Sequence, residues 1–278
     1  MKSLYLWLTV VDALNRDELT LPTLPDVALR VSRMCADPDV SAARLAREIA
    51  TDPASAARLL RAANSAAYGG RPVADLQQAI ARLGLPLTRT LVTRYALEQI
   101  HVARSPELVR ILRASWVRSL EVAALAAVLA RSRTPLNPAT AMLAGLLREI
   151  GLLPLVGLVE ARPELNDRPA ELEAGLSNLH ARVGVHLLRA WNFPDELAQV
   201  PVLSADLERQ RDGPADYADV VCVAALQQQR EHAGLLARLV PPPHSASHDR
   251  LGLPPRFNPA RDARTATQLA AERVLLSA

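Results

Sequence analysis

Apolar residues recur every three or four positions along nearly the whole chain, and nowhere do they alternate in the two-residue period of a half-buried strand. No Asn-Gly hairpin turn interrupts them. A chain patterned this way can bury its apolar stripes only by packing helix on helix. Half of the residues are hydrophobic but only 3% are aromatic, so Ala, Leu and Val must fill the core. The fold class expected is all-α, and 278 residues allow one large domain or two small ones.

Helix punctuation divides the chain further. Pro22 and Pro25 make an extended elbow before a helix from about Pro25 to Ala36. Ser41 and Asp75 stand where N-caps belong, and Asp52-Pro53 combines a cap with a first-position proline. Gly84 stops the helix "LQQAIARLG". A long helix spans Pro106 to about Arg133, and another runs from Pro138 through "AGLLREIG". Further helices begin near Pro169 and Pro194, the latter interrupted by Pro201, and "PADYADVVCVAALQQQREH" reads as the last core helix. From about Val240 to Asp262 the chain is proline-rich and polar, which reads as an extended or disordered tail. "ATQLAAERVLLSA" can close it as a short helix that docks back.

The first residues hold a Lys and a short apolar run, faintly like a signal peptide. Asp12 follows that run at once, and Leu4, Leu8, Val11 and Leu14 repeat at helical spacing, so an amphipathic first helix is the preferred reading. No run of about 18 uninterrupted apolar residues occurs, and no membrane span is expected. Cys35 and Cys222 lie far apart in apolar segments without CxxC spacing; they read as reduced thiols of a cytoplasmic protein. The net charge is +3, and Lys2 is the only lysine. An arginine-rich chain suggests phosphate or nucleic-acid contact. The 29 Asp and Glu are interspersed with the Arg, however, so the charge reads as a general surface property and nucleic acid is not an expected partner. The three tryptophans, Trp7, Trp116 and Trp191, sit among apolar neighbours and read as core anchors.

One stretch resists the helical pattern. In "AGLLREIG" the adjacent Arg148 and Glu149 interrupt a greasy run. Leu143, Leu146, Leu147, Ile150 and Leu153 form one stripe of a continuous helix, and the two charges fall outside it. They are either the wet face of an amphipathic helix or the lining of a site.

Several spaced motifs decide what to compare. "LPTLPDVALRV", "IATDPASAARLLRAANSAAYGG" and "QQAIARLGLPLTRTLV" resemble the N-terminal half of HDOD domains. "SWVRSLEVAALAAVLA", "AGLLREIGLLPL" and "HARVGVHLLRAWNFPDEL" continue the resemblance, which covers about residues 15 to 230. Its most specific piece holds Asn64, Ser65, Ala66, Tyr68 and Gly69. The resemblance implies a two-lobed helical HDOD fold whose second lobe is an HD-like bundle. The N-terminal lobe is expected at 1–103, the HD-like lobe at 104–232, and the tail with its terminal helix at 233–278. HDOD domains are relatives of the HD phosphohydrolases that have lost the metal site, which implies a bacterial regulatory module and no known reaction.

HD enzymes hold a divalent ion with a His, an adjacent His-Asp pair and a later Asp, because a cation needs lone pairs from imidazole or carboxylate. By the resemblance, those positions are Arg118, Arg148-Glu149, and Ala224 or Ala225. Arginine keeps its proton in a protein and cannot ligate a metal. Glu149 alone is left, so neither metal nor other cofactor is expected. His180 lies where some relatives carry a histidine; His186, about 600° further round a helix, does not share its face. Each reads as surface or packing rather than as a metal ligand, and His180 stands with Arg118, Arg148 and Glu149 as a candidate anion or ligand contact of the former pocket. In the resemblance Arg148 and Arg118 look into the former metal pocket, where two guanidiniums make an anion site, with Glu149 neutralising one of them, or else form an internal ion pair. Asn64, Ser65 and Tyr68 can satisfy free backbone groups at a helix end or touch a ligand.

Three functions follow as alternatives. The first is a non-catalytic signalling protein that binds partner proteins in trans, with a nucleotide as a possible ligand. The second is a degenerate phosphohydrolase, for instance a cyclic-dinucleotide phosphodiesterase. The third is a nucleic-acid binder. The residues show no P-loop, no G-x-S-x-G and no Cys/His nucleophile pair, which favours the first. Some HDOD proteins are linked to cyclic-di-GMP signalling, motility and stress control, and the resemblance selects none of these contexts.

Overall fold

The computed structural model describes residues 8–10, 12, 19–65, 71–162, 165, 169–232, 245–254 and 257–277. Among them every regular element is helical. Five helices come first: α1 (Asp26–Met34), α2 (Ala42–Ile49), α3 (Pro53–Ala63), α4 (Leu76–Leu83) and α5 (Leu85–Ile100). The side chains of Ser41, Asp52 and Asp75 accept hydrogen bonds from Arg44 N, Ala54 N and Gln78 N, as their sequence positions predict. Gly84 separates α4 from α5 with φ +78°, a left-handed conformation natural to glycine.

Next come α6 (Pro106–Arg133), α7 (Pro138–Leu147), α8 (Leu152–Ala161) and α9 (Pro169–Ala190). Short helices α10 (Asp195–Ala198) and α11 (Val200–Leu203) lead to α12 (Tyr217–His232). The 28-residue α6 is the central strut, packed against α7 and α12. Gly145 lets α7 approach it closely: a Cβ there would lie 2.6 Å from Ala123 Cα. Thr90 ties α5 to α7 by donating to the Ala139 carbonyl at 2.8 Å. One hydrophobic cluster runs through both halves of the chain, from Leu24 and Leu45 to Leu125, Leu187 and Val221.

Three sequence expectations need correction. The helix from Pro138 does not continue through "AGLLREIG". It stops at Leu147, and residues 148–151 form a turn of i→i+3 bonds such as Leu152 N to Glu149 O. The apolar pattern ran straight across that break and hid α8. Taken together, Pro138–Ala161 is apolar and long enough to cross a bilayer, yet 83% of its most apolar window is buried in the protein. Second, the described part of the tail is not extended throughout. Ser245–Leu251 carries helix α13 (Ala246–Arg250) with Ser247 and His248 buried, while α14 (Ala263–Ser277), with Leu269, Leu275 and Leu276 buried, packs on α6 as the closing helix expected from "ATQLAAERVLLSA". Tertiary contacts supply what local propensity lacks. Third, Leu8 is exposed while Val10 is buried, so the expected first-helix stripe is displaced; Leu4, Val11 and Leu14 lie outside the described residues. Trp191 is a core anchor whose indole donates to the Pro22 carbonyl at 3.0 Å. Trp116 is half-buried against the His101 ring, and Trp7 lies outside the described residues.

Candidate functional site

The break between α7 and α8 exists because the chain must pass very close to α9. Gly151 sits against it: a Cβ there would fall 2.0 Å from the His180 carbonyl oxygen and 2.4 Å from Gly184 N. No side chain fits, and the turn that results lifts Arg148 and Glu149 out of helical register. They are not a wet face. Glu149 is only 8% exposed, and the Arg148 side chain is largely covered.

The buried carboxylate is gripped by two guanidiniums. Arg118, on α6, donates from Nε and Nη2 to the two oxygens of Glu149 at 3.2 and 2.7 Å, a parallel fork. Arg148 donates from Nη1 to Oε1 at 2.8 Å. Burial raises the carboxyl pKa, but the Arg118 hydrogen bonds and both Arg charges outweigh it, and Glu149 is held below its ordinary range.

His180, on α9, completes the wall and is only 9% exposed. It is neither surface nor simple packing, because its ring faces the same charges. Burial pushes its pKa down to about 4, with Arg148 and Arg118 adding to the fall and Glu149 opposing it. The imidazole is therefore neutral at physiological pH. It hydrogen-bonds the Arg148 backbone, while Nδ1 has no partner among the described residues. Arg148 Nε is an unsatisfied buried donor.

These groups line a cavity of about 290 Å³, together with Ser177, Glu173 and Gln229. Glu173 is engaged by Arg110 at 3.1 Å. His186 is half-buried on α9 and is not among the lining residues. Ala224 and Ala225 are buried on α12, one turn before Gln229.

The Asn64 group lies elsewhere. The Asn64 side chain donates to Val73 O at 2.9 Å and accepts from Val73 N at 2.8 Å, closing the loop after α3. Ser65 Oγ is buried without a partner among the described residues, and Tyr68 lies outside them.

Sequence reading missed a second carboxylate, Asp219 on α12. It is fully buried and accepts from Arg250 Nη2 at 2.8 Å, Arg211 at 3.2 Å and Ser247 Oγ at 2.8 Å. Nothing local announced it, because Ser247 and Arg250 come from the tail, about thirty residues further along the chain.

The all-helical fold matches HD-like phosphohydrolase folds. The HDOD domain family matches residues 21–203, most of the chain, and the protein belongs to that family. It is similar over 99% of both chains to a Shewanella amazonensis SB2B protein named as a metal-dependent phosphohydrolase, with 28% identity and a TM-score of 0.84. A Geobacter sulfurreducens HDOD domain protein of unknown function shares the fold at 22% identity and TM-score 0.58, covering 93% of this chain and 88% of that one. A Marinobacter aquaeolei VT8 protein named for signal transduction shares it at 22% identity and TM-score 0.61, with 94% of this chain matching 61% of that one. No curated protein matches the chain.

The donor set does not fit the metal that HD enzymes use. At the positions that the family resemblance assigns to the ligands stand Arg118, Arg148 and Ala224 or Ala225, and the carboxylate of Glu149 has both oxygens engaged by arginine. Among the described residues no three His, Cys, Asp or Glu side chains converge on one point.

Proposed function

We propose that this HDOD protein is a cytoplasmic regulatory module without hydrolytic activity, which acts through signalling proteins bound in trans. The observation that supports it is the Arg118–Glu149–Arg148 cluster. Guanidinium groups take up the carboxylate lone pairs that a catalytic ion would need. The signal-transduction name of the Marinobacter relative agrees with this role.

On this reading the cavity beside the cluster receives an anionic, phosphate-bearing ligand as the module's input. Arg118 and Arg148 give the lining its positive charge, so the fitting group is anionic. A cavity of about 290 Å³ lies at the small end of ligand sites, which favours a mononucleotide-sized molecule over a cyclic dinucleotide. Calorimetric titration of nucleotides into wild type and R118A/R148A tests this. Heat from wild type that the double variant loses is the expected result; equal heats end the ligand assignment.

The name of the Shewanella relative favours a second reading, residual metal-dependent phosphohydrolase activity. Elemental analysis of the purified protein separates the two. Stoichiometric manganese, iron, zinc or nickel that is lost in E149A overturns the non-hydrolytic assignment.

A further inference from the structure

The tail builds a second charged concavity that the family match does not include. Helix α12 supplies Gln227, Arg230 and Glu231 to one wall. The 3₁₀ turn Pro259–Arg261 supplies Arg261, with its cap residue Asn258 beside it, and α14 supplies Leu269 and Arg273. The groove between them has a volume of about 460 Å³, within the range of small-molecule sites.

Its charge is unbalanced. Among the described lining residues three guanidiniums face one carboxylate. Glu231 lies 3.6 Å from Arg273 and accepts from the Gln227 amide at 3.3 Å, so it is already drawn to one side of the groove. Arg230 Nη1 is buried with no hydrogen-bond partner among the described residues. Arg261 is exposed and has no ion pair among them. The nearby acids are committed elsewhere: Glu272 pairs with Arg131 at 2.5 Å, and Asp262 accepts from the Thr265 amide and hydroxyl. Asn258 spends its oxygen on Ala260 N, which leaves its amide hydrogens to donate. The lining is thus rich in donors and short of acceptors.

We infer that the groove between α12 and α14 binds a compact phosphate-bearing anion of at least two negative charges. Arginine forks match tetrahedral phosphate oxygens, and donors from three separate segments surround the ligand as such a group requires. Because the walls belong to the last core helix and to the tail, the anion bridges them and holds α14 in place.

The test uses the full chain, with pyrophosphate as probe and citrate as a polycarboxylate control, titrated at low salt by calorimetry. Pyrophosphate is expected to bind wild type. R261A/R273A is expected to weaken it by roughly tenfold for each guanidinium removed. Arg261 and Arg273 are solvent-facing, so the variant is expected to keep its fold, which its melting curve checks. The titrations are repeated in the R118A/R148A background, which removes the other pocket, so pyrophosphate heat that persists there and is lost on adding R261A/R273A belongs to this groove. Bound pyrophosphate is also expected to slow amide exchange across residues 263–277. The assignment is overturned if pyrophosphate gives no heat, if R261A/R273A binds it as wild type does, if citrate binds more tightly, or if exchange in α14 does not change.

Discussion

Two buried carboxylates in this molecule are held by arginines, and they are held differently. Asp219 accepts from Arg250 Nε and Nη2, Arg211 Nη1, Ser247 Oγ and the Asp216 amide, so its lone-pair directions are filled by groups of its own chain. Among the described residues Glu149 accepts three hydrogen bonds, all from Arg118 and Arg148, and borders a cavity whose lining residues include two polar atoms without partners there. The first arrangement is a clamp: it joins α12 to the tail and leaves nothing unsatisfied on the acid. The second is a closed charge set beside an unfinished polar surface. The same residue types therefore make a rivet in one place and a pocket in the other. What separates them is the number of donors the chain itself supplies.

The largest expected effect breaks the clamp. D219A strands Arg250 in a largely buried site and leaves Arg211 and Arg209 with Asp216 as their remaining carboxylate. Removing one partner of a buried pair costs about 3–5 kcal/mol. Urea unfolding measures it, and limited proteolysis is expected to show the tail released. A loss below about 1 kcal/mol would mean the tail does not depend on this acid.

E149A is expected to cost less, about 2–3 kcal/mol, because the Arg118 side chain is 38% exposed and water partly replaces its partner. The contrast sharpens with R118M/R148M/E149L. Replacing the whole set with apolar groups is expected to be neutral or stabilising, since desolvation of all three charges is then avoided. Equal losses in E149A and D219A would erase the distinction between the two sites.

Acid stability follows from His180. Its folded pKa of about 4 lies below the ordinary 6.5, so between those values the unfolded chain holds a proton that the folded chain does not. The contribution is fully present above pH 6.5 and is lost as pH falls toward 4, by about 3 kcal/mol in total. His101, which burial also holds below its ordinary value, adds to the loss with the same sign. H180Q is expected to flatten much of this slope in denaturant titrations from pH 7 to pH 4. An unchanged slope would place His180 in contact with water.

Much of the fold was legible because its signals are local. Asp52-Pro53, Ser41, Asp75 and Gly84 mark helix ends through their own hydrogen bonds and dihedrals, and α6 has the bounds its sequence indicates. The break at Arg148 was not legible. Its cause is the contact of Gly151 with His180 and Gly184 of a different helix, and the apolar run shows no change of period there. The site was legible in part. Arg118, Arg148 and Glu149 were marked by the family resemblance, but the burial of His180 depends on how α9 seats against that break. The Asp219 clamp and the α12–α14 groove join segments far apart in sequence, and no local pattern encodes them.

The smallest expected effect concerns a neutral counterpart of these clamps. Asn64 exchanges two hydrogen bonds with the Val73 backbone in an exposed place, where water can replace either one. N64A is therefore expected to cost only about 1–2 kcal/mol in urea unfolding. N64D is the more informative change. Its carboxylate can still accept from Val73 N, but it places a negative oxygen against the Val73 carbonyl that the amide group served. It should be at least as destabilising as N64A. If N64D is as stable as wild type, the donated bond contributes nothing, and the loop after α3 is held by the accepted bond and its surrounding contacts alone.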